Sequence, residues 1–400
     1  SLLIAGFLIL FSGFTGNDVA IAGTSGGTKT ATVTGSGTTY NVAVSGMTSG
    51  TVIATIPAGG ATDEAGNGNA VSTSTDNTVT YDAIPPTATN ITSPVANGNY
   101  TLGAVIPVTV TFSKSVIVTG TPRLTLETGS TDATVNYSSG SPGTTLTFNY
   151  TVANEHNSSD LDYVSTSALS LNGGTIKDAV LNNATLTLAS PGAANSLGWN
   201  KNILVDTIAP TVTVLRINGS SCSEDECPVT VLAKDALAIA WAASDNVGGS
   251  GVWKHEIWRA QDTDGDGSPN WPGTPQVANA VSPYTAENPA EGTYWYGIHT
   301  LDNANNCISE AGGHCGGASS DVNDSRPVLG PIKVVMDKTA PTLTQVTAVP
   351  SPTNDTTPNY TFSSTESGTI TYGGDCSSAT STASTGNNTV TFNALVQGVH

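Results

Sequence analysis

Apolar residues recur at every second position in short runs along this chain. Ile106, Val108, Val110 and Phe112 fall on one side of such a run, with Pro107, Thr109 and Thr111 on the other. Leu146, Phe148, Tyr150 and Val152 repeat the pattern, as do Leu237, Ile239 and Trp241. Nearer the start, Tyr40, Val42 and Val44 alternate, followed by Val52, Ala54 and Ile56. Successive side chains of a strand point to opposite faces. Such alternation therefore predicts half-buried strands of antiparallel sheets packed as sandwiches. The runs are separated by Gly, Asn, Pro and Ser, which supply turns, and long helical patterns are missing. The predicted class is all-β. The apolar run Leu2–Phe11 is too short to cross a bilayer and lacks a basic leader. It reads either as a signal-peptide remnant or, with a better fit, as a buried strand of a first domain.

A repeated junction divides the chain. Tyr81-Asp82-Ala83-Ile84-Pro85-Pro86 recurs as Val205-Asp206-Thr207-Ile208-Ala209-Pro210 and as Met336-Asp337-Lys338-Thr339-Ala340-Pro341. Each is an apolar strand end, an Asp, a few small residues and a Pro, which removes a ladder donor and stiffens the passage. The expected domains are 1–82, 87–206, 210–337 and 341–400, each a Greek-key sandwich strung on short hinges.

Several motifs carry a resemblance to bacterial Ig-like repeats of large surface adhesins. Ala61-Thr62-Asp63-Glu64-Ala65-Gly66-Asn67, followed by Thr75-Asp76-Asn77-Thr78-Val79, resembles the last strands of one such repeat. Gly120-Thr121-Pro122-Arg123-Leu124, Asp160-Leu161-Asp162-Tyr163 and Gly174-Thr175-Ile176-Lys177-Asp178 resemble a second. Pro352-Thr353-Asn354-Asp355-Thr356-Thr357-Pro358 resembles another. The third segment is more similar to a fibronectin type III module, through Ser244-Asp245-Asn246, Gly249-Ser250-Gly251-Val252 and Tyr294-Trp295-Tyr296. The resemblance implies tandem Ig-like and fibronectin-like β-sandwiches in a secreted or cell-surface bacterial protein. It also implies that both ends are truncated, with the partner of Cys376 lying beyond His400.

The charge balance narrows the partners. Twelve basic residues stand against 31 acidic ones, a formal net charge of −19. With no basic stripe to displace counterions, nucleic acid and anionic membranes are disfavoured. Cys222 and Cys227 bracket one short loop and Cys307 and Cys315 another, which reads as two loop-pinning disulfides in an oxidising compartment. A zinc site from these four with His314 is the less favoured reading, because neither spacing is the tight two-residue knuckle.

Two features point to calcium. Asp262-Thr263-Asp264-Gly265-Asp266-Gly267 matches the opening of an oxygen-rich calcium loop, although Gly273 stands where the closing Glu would be. The plainer alternative is a solvated acidic turn. At the junctions, the resemblance implies calcium held by Asp82, Asp206 and Asp337 with loop carboxylates such as Asp63, Asp178 and Asp302. Carboxylates gathered without a cation would raise one another's pKa and splay the hinge; the alternative is that each Asp only caps a turn.

Five of the six tryptophans lie in the third segment. Trp271 is expected to be the exposed one, a candidate for stacking on sugar, while Trp241 and Tyr294–Tyr296 are expected in the core. His255 and His299 fall in strands and are explained as core or surface positions. No catalytic motif is present, so a non-enzymatic role is expected. The chain reads as a monomeric calcium-stiffened rod that meets a host or neighbouring-cell protein or glycan. The rivals are a glycan- or protein-binding module at 210–337 and an accessory stalk of a large secreted hydrolase.

Overall fold

The computed structural model describes residues 2–4, 13–222, 230–307 and 329–394. The chain is a tandem of mainly antiparallel β-sandwiches, with Gly98–Tyr100 parallel to Ile203–Asp206 and Thr230–Ala233 parallel to Leu329–Met336. Among the described residues the only α-helix is Leu197–Asn200, capped by Ser196, whose Oγ accepts from the Trp199 amide at 3.2 Å. No described helix is long and apolar enough to cross a membrane. The chain divides into two units. The first holds the chain through Thr211 together with Ala243–Lys254 and the segment from Thr300, and the second holds the remainder.

In the first unit, the opening sandwich packs Leu2–Ile4, Thr39–Ser45 and Thr30–Ser36 in one sheet. Ala20–Ala22, Gly50–Thr55 and Thr78–Tyr81 form the other. The hairpin between Ser36 and Thr39 leaves two residues to turn, and Gly37 takes a φ of 69° there, which the tight right-twisted turn requires. Its core is small: Val19, Val42 and Ala54, flanked by Phe14, Ile21 and Val44.

The following sandwich is larger. Its spine runs Asp162–Tyr163, Arg123–Glu127, Ala133–Ser139, Gly143–Thr151, Val105–Thr119 and Thr175–Lys177. Ile106, Val108, Val110 and Phe112 are buried on one side, against Leu146, Phe148, Tyr150 and Val152. Each fully buried side chain of this kind contributes roughly 1.5–3 kcal/mol. The long strand Val105–Thr119 pairs with Ala88–Thr92 in its first half and with Thr175–Lys177 at its end. Its register against Gly143–Thr151 slips between Thr111 and Val116, a bulge that bends the strand and re-aims the side chains within it. Lys114 lies in that bulge.

Most of the second unit's strands belong to two sheets. In one, Leu237–Ser244, whose last two residues lie in the first unit, pairs with Tyr284–Glu287. In the other, Gly292–Asp302, which enters the first unit at Thr300, runs between Leu329–Met336 and Val252–Ala260, which leaves it at Lys254. Leu237, Ile239, Tyr296 and Ile298 are fully buried, and Trp241 and Tyr294 nearly so. The Arg259 guanidinium pairs with the buried Glu287 carboxylate, which also accepts from Tyr296 Oη at 3.1 Å. The unit closes with a three-stranded sheet of Leu343–Thr347, Asn359–Ser364 and Gly386–Thr391.

Candidate metal centre

Among the described residues one loop design occurs three times. Asp63, Asp178 and Asp302 each stand four residues before an Asn. In each, Oδ1 of the Asp accepts the amides two and four residues on. These are Ala65 and Asn67 at 2.9 and 2.8 Å, Val180 and Asn182 at 3.1 and 2.9 Å, and Ala304 and Asn306 at 2.8 Å both. Oδ2 accepts the Asn side-chain amide at 3.0, 2.9 and 2.8 Å. The residue before the Asn takes a left-handed φ in every case: Gly66 at 85°, Leu181 at 71° and Asn305 at 67°.

The junction aspartates share a second design. Oδ1 of Asp82, Asp206 and Asp337 accepts the amide two residues on, at 3.0, 3.0 and 3.2 Å, closing the turn that begins each linker. In two cases the designs meet. Asn182 Nδ2 donates to the Asp82 carbonyl and Asn306 Nδ2 to the Asp206 carbonyl, both at 3.0 Å and both across 100 residues of chain. The Asn thus ties the loop carboxylate to the start of the linker.

What faces each pair of carboxylates differs. At the first junction, Lys114 Nζ lies 2.7 and 2.6 Å from the two Asp82 oxygens and 3.8 Å from Asp178 Oδ2, and it donates to the Ile84 carbonyl at 2.6 Å. The bond from Lys114 is the main reason Asp82 lies below the ordinary carboxylate range. Burial pushes Asp178 upward, but the Asn182 side chain and amide, the Val180 amide and the Lys114 charge together hold it below its usual value.

At the second junction, Asp206, Asp245 and Asp302 each offer a carboxylate oxygen, all within 4.8 Å of one another. Asp206 and Asp302 are wholly buried and Asp245 is half-buried. Ser250 N donates to Asp206 Oδ2 at 2.7 Å, and Asn246 N and Gly251 N donate to Asp245 at 2.9 and 2.5 Å. Among the described residues no Lys, Arg or His forms an ion pair with these three. Burial pushes Asp302 upward, the Asn306 bonds oppose it, and the Asp206 and Asp245 charges add to the rise. Asp245 is raised in the same way, by burial first and by the Asp206 charge last. Asp178 and Asp302 therefore have the same hydrogen-bond cage and shift in opposite directions. The deeper burial of Asp302 is the main difference, and the neighbouring charge, positive at Asp178 and negative at Asp302, adds to it.

The loops that bring this trio together are anchored within the first unit. Asn157 Nδ2 donates to the Val247 carbonyl and Asn99 Nδ2 to the Asn303 carbonyl, both at 3.2 Å. Thr101 Oγ1 bonds Asn306 Oδ1. Asn303 Nδ2 in turn donates to the Ser250 and Gly251 carbonyls at 2.9 and 2.8 Å.

Asp262, Asp264 and Asp266 form a second group within 4.8 Å. Asp262 accepts the Gly265 and Gly267 amides at 2.6 and 2.9 Å, and Asn270 Nδ2 donates to Asp264 Oδ2 at 3.0 Å, the bond chiefly responsible for lowering that carboxyl. Asp63, Asp82, Asp178 and Asp337 are not gathered into either group. Asp245, unlike its two partners, was not singled out as a ligand from sequence. The available signal was a hydroxyl residue followed by a charged one: Ser113-Lys114 inside a strand, Ser244-Asp245 at a strand end and Thr365-Glu366 just past one.

Of the predicted disulfides, Cys227, Cys315 and the side chain of Cys222 lie outside the described residues, as does His314 of the zinc alternative. Cys307 is disulfide-bonded and Cys376 is free and half-buried. Trp271 is half-buried; the exposed tryptophans are Trp199 at 65% and Trp253 at 56%. His255 packs edge-on against Trp241, and His299 against Trp258 and Glu256.

No protein-family model matches the chain, and no curated protein matches it significantly. Among solved structures it is similar to the crystal structure of the chicken CNTN1 FN1-FN3 domains. The two are 12% identical with a TM-score of 0.22, over 72% of this chain and 93% of that one. A score that low carries no argument about fold or function; the all-β sandwich architecture stands on the strand order itself.

Proposed function

We propose that this chain is a structural, adhesive repeat segment of a secreted or cell-surface bacterial protein, stiffened by calcium at a linker. The observation that carries the reading is the trio Asp206, Asp245 and Asp302, whose oxygens lie within 4.8 Å of one another and two of whose members are fully buried. Gathering three carboxylates away from water is strongly unfavourable without a positive partner. The donor set fits a hard cation. Calcium takes six to eight oxygens, and carboxylates supply charge while carbonyls and water complete the shell. With calcium bound, the trio would fix the linker that starts at Asp206 against the loops at 243–254 and 300–306. The Asp262, Asp264 and Asp266 loop is a second, more exposed candidate. The resemblance to adhesin repeats, the acidic charge and the disulfide at Cys307 support an extracellular setting and a surface protein or glycan as partner.

The test is calorimetric titration of the full chain with calcium, with small-angle scattering in 2 mM calcium and in EGTA. The expected result is binding with a Kd of roughly 0.1–1 mM, abolished at one site by Asp245→Ala, and a particle whose maximum dimension changes on chelation. Heats and scattering profiles indifferent to calcium would end the clamping reading. A second reading, glycan recognition, is favoured by Trp253, exposed beside Lys254, whose Nζ lies 4.8 Å from the ring centroid. Trp253→Ala should then abolish retention on a glycan array, and an array with no positive signal would dismiss it.

A further inference from the structure

The two junctions are built on one plan. Thr89 stands seven residues after Asp82, and its hydroxyl donates to the Thr111 carbonyl at 3.1 Å. Thr213 stands seven residues after Asp206 and donates likewise to the Ala242 carbonyl at 3.4 Å. Three residues beyond those carbonyls lie Lys114 and Asp245. These two side chains thus stand at corresponding places, Lys114 within its strand and Asp245 one residue past the end of its own, facing corresponding carboxylates, Asp82 with Asp178 and Asp206 with Asp302. In one junction the position supplies a positive charge, and in the other a third negative one. The Thr342 amide donates to Thr365 Oγ1 at 2.9 Å as the Thr87 amide does to Ser113 Oγ at 3.0 Å, and the next residue is Glu366 where the first junction has Lys114.

We infer that Lys114 is the resident cation of the Asp82 junction, an ammonium carried by the chain in the place where the sister junction needs an added ion. Its Nζ has both Asp82 oxygens, the Ile84 carbonyl and, farther off, Asp178 around it. Those are oxygen atoms only, the shell a hard cation would take. Lys114 stands in the bulge of Val105–Thr119, and its Nζ is held by the Asp82 carboxylate and the Ile84 carbonyl. The first linker is consequently closed at any calcium concentration, while the linker after Asp206 closes only when calcium is present. The second half of that contrast rests on the function proposed above; the first half does not.

Hydrogen exchange of the full chain, read on peptides over 82–86, 178–182 and 300–307 in EGTA and in calcium, separates the two. In the natural chain, calcium at ten times its Kd should slow exchange at 300–307 about tenfold and leave 82–86 and 178–182 unchanged. Lys114→Met should open 82–86 and 178–182 in EGTA, while Lys114→Arg should keep them closed. Lys114→Asp, which copies the Asp245 arrangement, should open them in EGTA and close them again in calcium. Unchanged exchange over 108–112 and 146–150 establishes that each variant is folded. The inference is overturned if Lys114→Met exchanges like the natural chain in EGTA, or if calcium slows exchange at 82–86 in the natural chain. If instead 300–307 ignores calcium while Lys114→Met still opens the first junction, the calcium reading falls and the role of Lys114 stands.

Discussion

Replacing Asp302 with Asn separates an ion-binding carboxylate from a turn-capping one, because the two roles predict opposite signs. In calcium-free solution Asp302 faces two carboxylates with ligand oxygens up to 4.8 Å away. At an effective dielectric of about 20, two charges at that separation repel by roughly 3.5 kcal/mol, and a proton taken up by the trio relieves part of this. The Asn keeps an Oδ1 acceptor for the Ala304 and Asn306 amides but turns an NH2 toward Asn306 Nδ2, which now donates to Asp302 Oδ2 at 2.8 Å. The repulsion acts from both neighbours, whereas losing that bond to a charged acceptor costs about 1.5–3 kcal/mol. Relief exceeds loss, so in EGTA the variant loop should exchange more slowly than the natural one. In calcium the order should reverse. An ion at twenty times its Kd stabilises the natural closed loop by about 1.8 kcal/mol, roughly a twentyfold protection, and the variant forfeits most of it. The assay is amide exchange over 300–307 and 243–254 in both buffers. A variant that exchanges faster than the natural chain by the same factor in EGTA and in calcium would refute the reasoning and leave Asp302 as a turn cap alone.

Acidity should act oppositely on the two junctions. Asp245 and Asp302 lie above the ordinary 3.8, so without calcium their protonated forms favour closure, which is lost as pH rises through the raised values. Asp82 and Asp178 lie below 3.8, so their contribution is complete above that value and fades as pH falls through the lowered ones. Acidification from pH 7 toward 4 in EGTA should therefore slow exchange at 300–307, corrected for intrinsic rate, and leave 82–86 unaffected. Leu181 holds a φ of 71° with its side chain 72% exposed, where a Cβ is penalised by about 1–2 kcal/mol. Leu181→Gly should slow exchange at 178–182, and faster exchange would show that the side chain matters more than the backbone. Glu287→Ala leaves Arg259 without its partner in a site where Glu287 is 5% exposed, and should destabilise the second unit by about 3 kcal/mol. Urea unfolding followed by the fluorescence of Trp241, Trp258 and Trp295 checks it, and a midpoint within error of the natural chain would contradict it.

Much of the architecture was legible because it is local. Alternation at Ile106, Val108, Val110 and Phe112, or at Leu237, Ile239 and Trp241, states which face of a strand is buried, since side-chain direction in a strand depends only on position parity. That the junction aspartates begin turns was legible too, from their spacing to Pro, although the sequence favoured calcium there over the cap two residues on that all three make. Tertiary structure decided the rest. Only folding shows that Asn306 reaches the Asp206 carbonyl across 100 residues, or that Asp245 completes a trio with Asp206 and Asp302. The Trp271 expectation failed for the same reason: a Pro-flanked residue in an acidic insertion looks exposed until the surrounding chain half-covers it. The cation at the first junction is the clearest case. In sequence Lys114 is one charged residue near the end of a β run, and only the folded chain brings Asp82, 32 residues away, to its ammonium. Periodicity fixes the face a side chain takes, whereas the charges it meets arrive on loops from distant parts of the chain, and their sign sets the chemistry of the site.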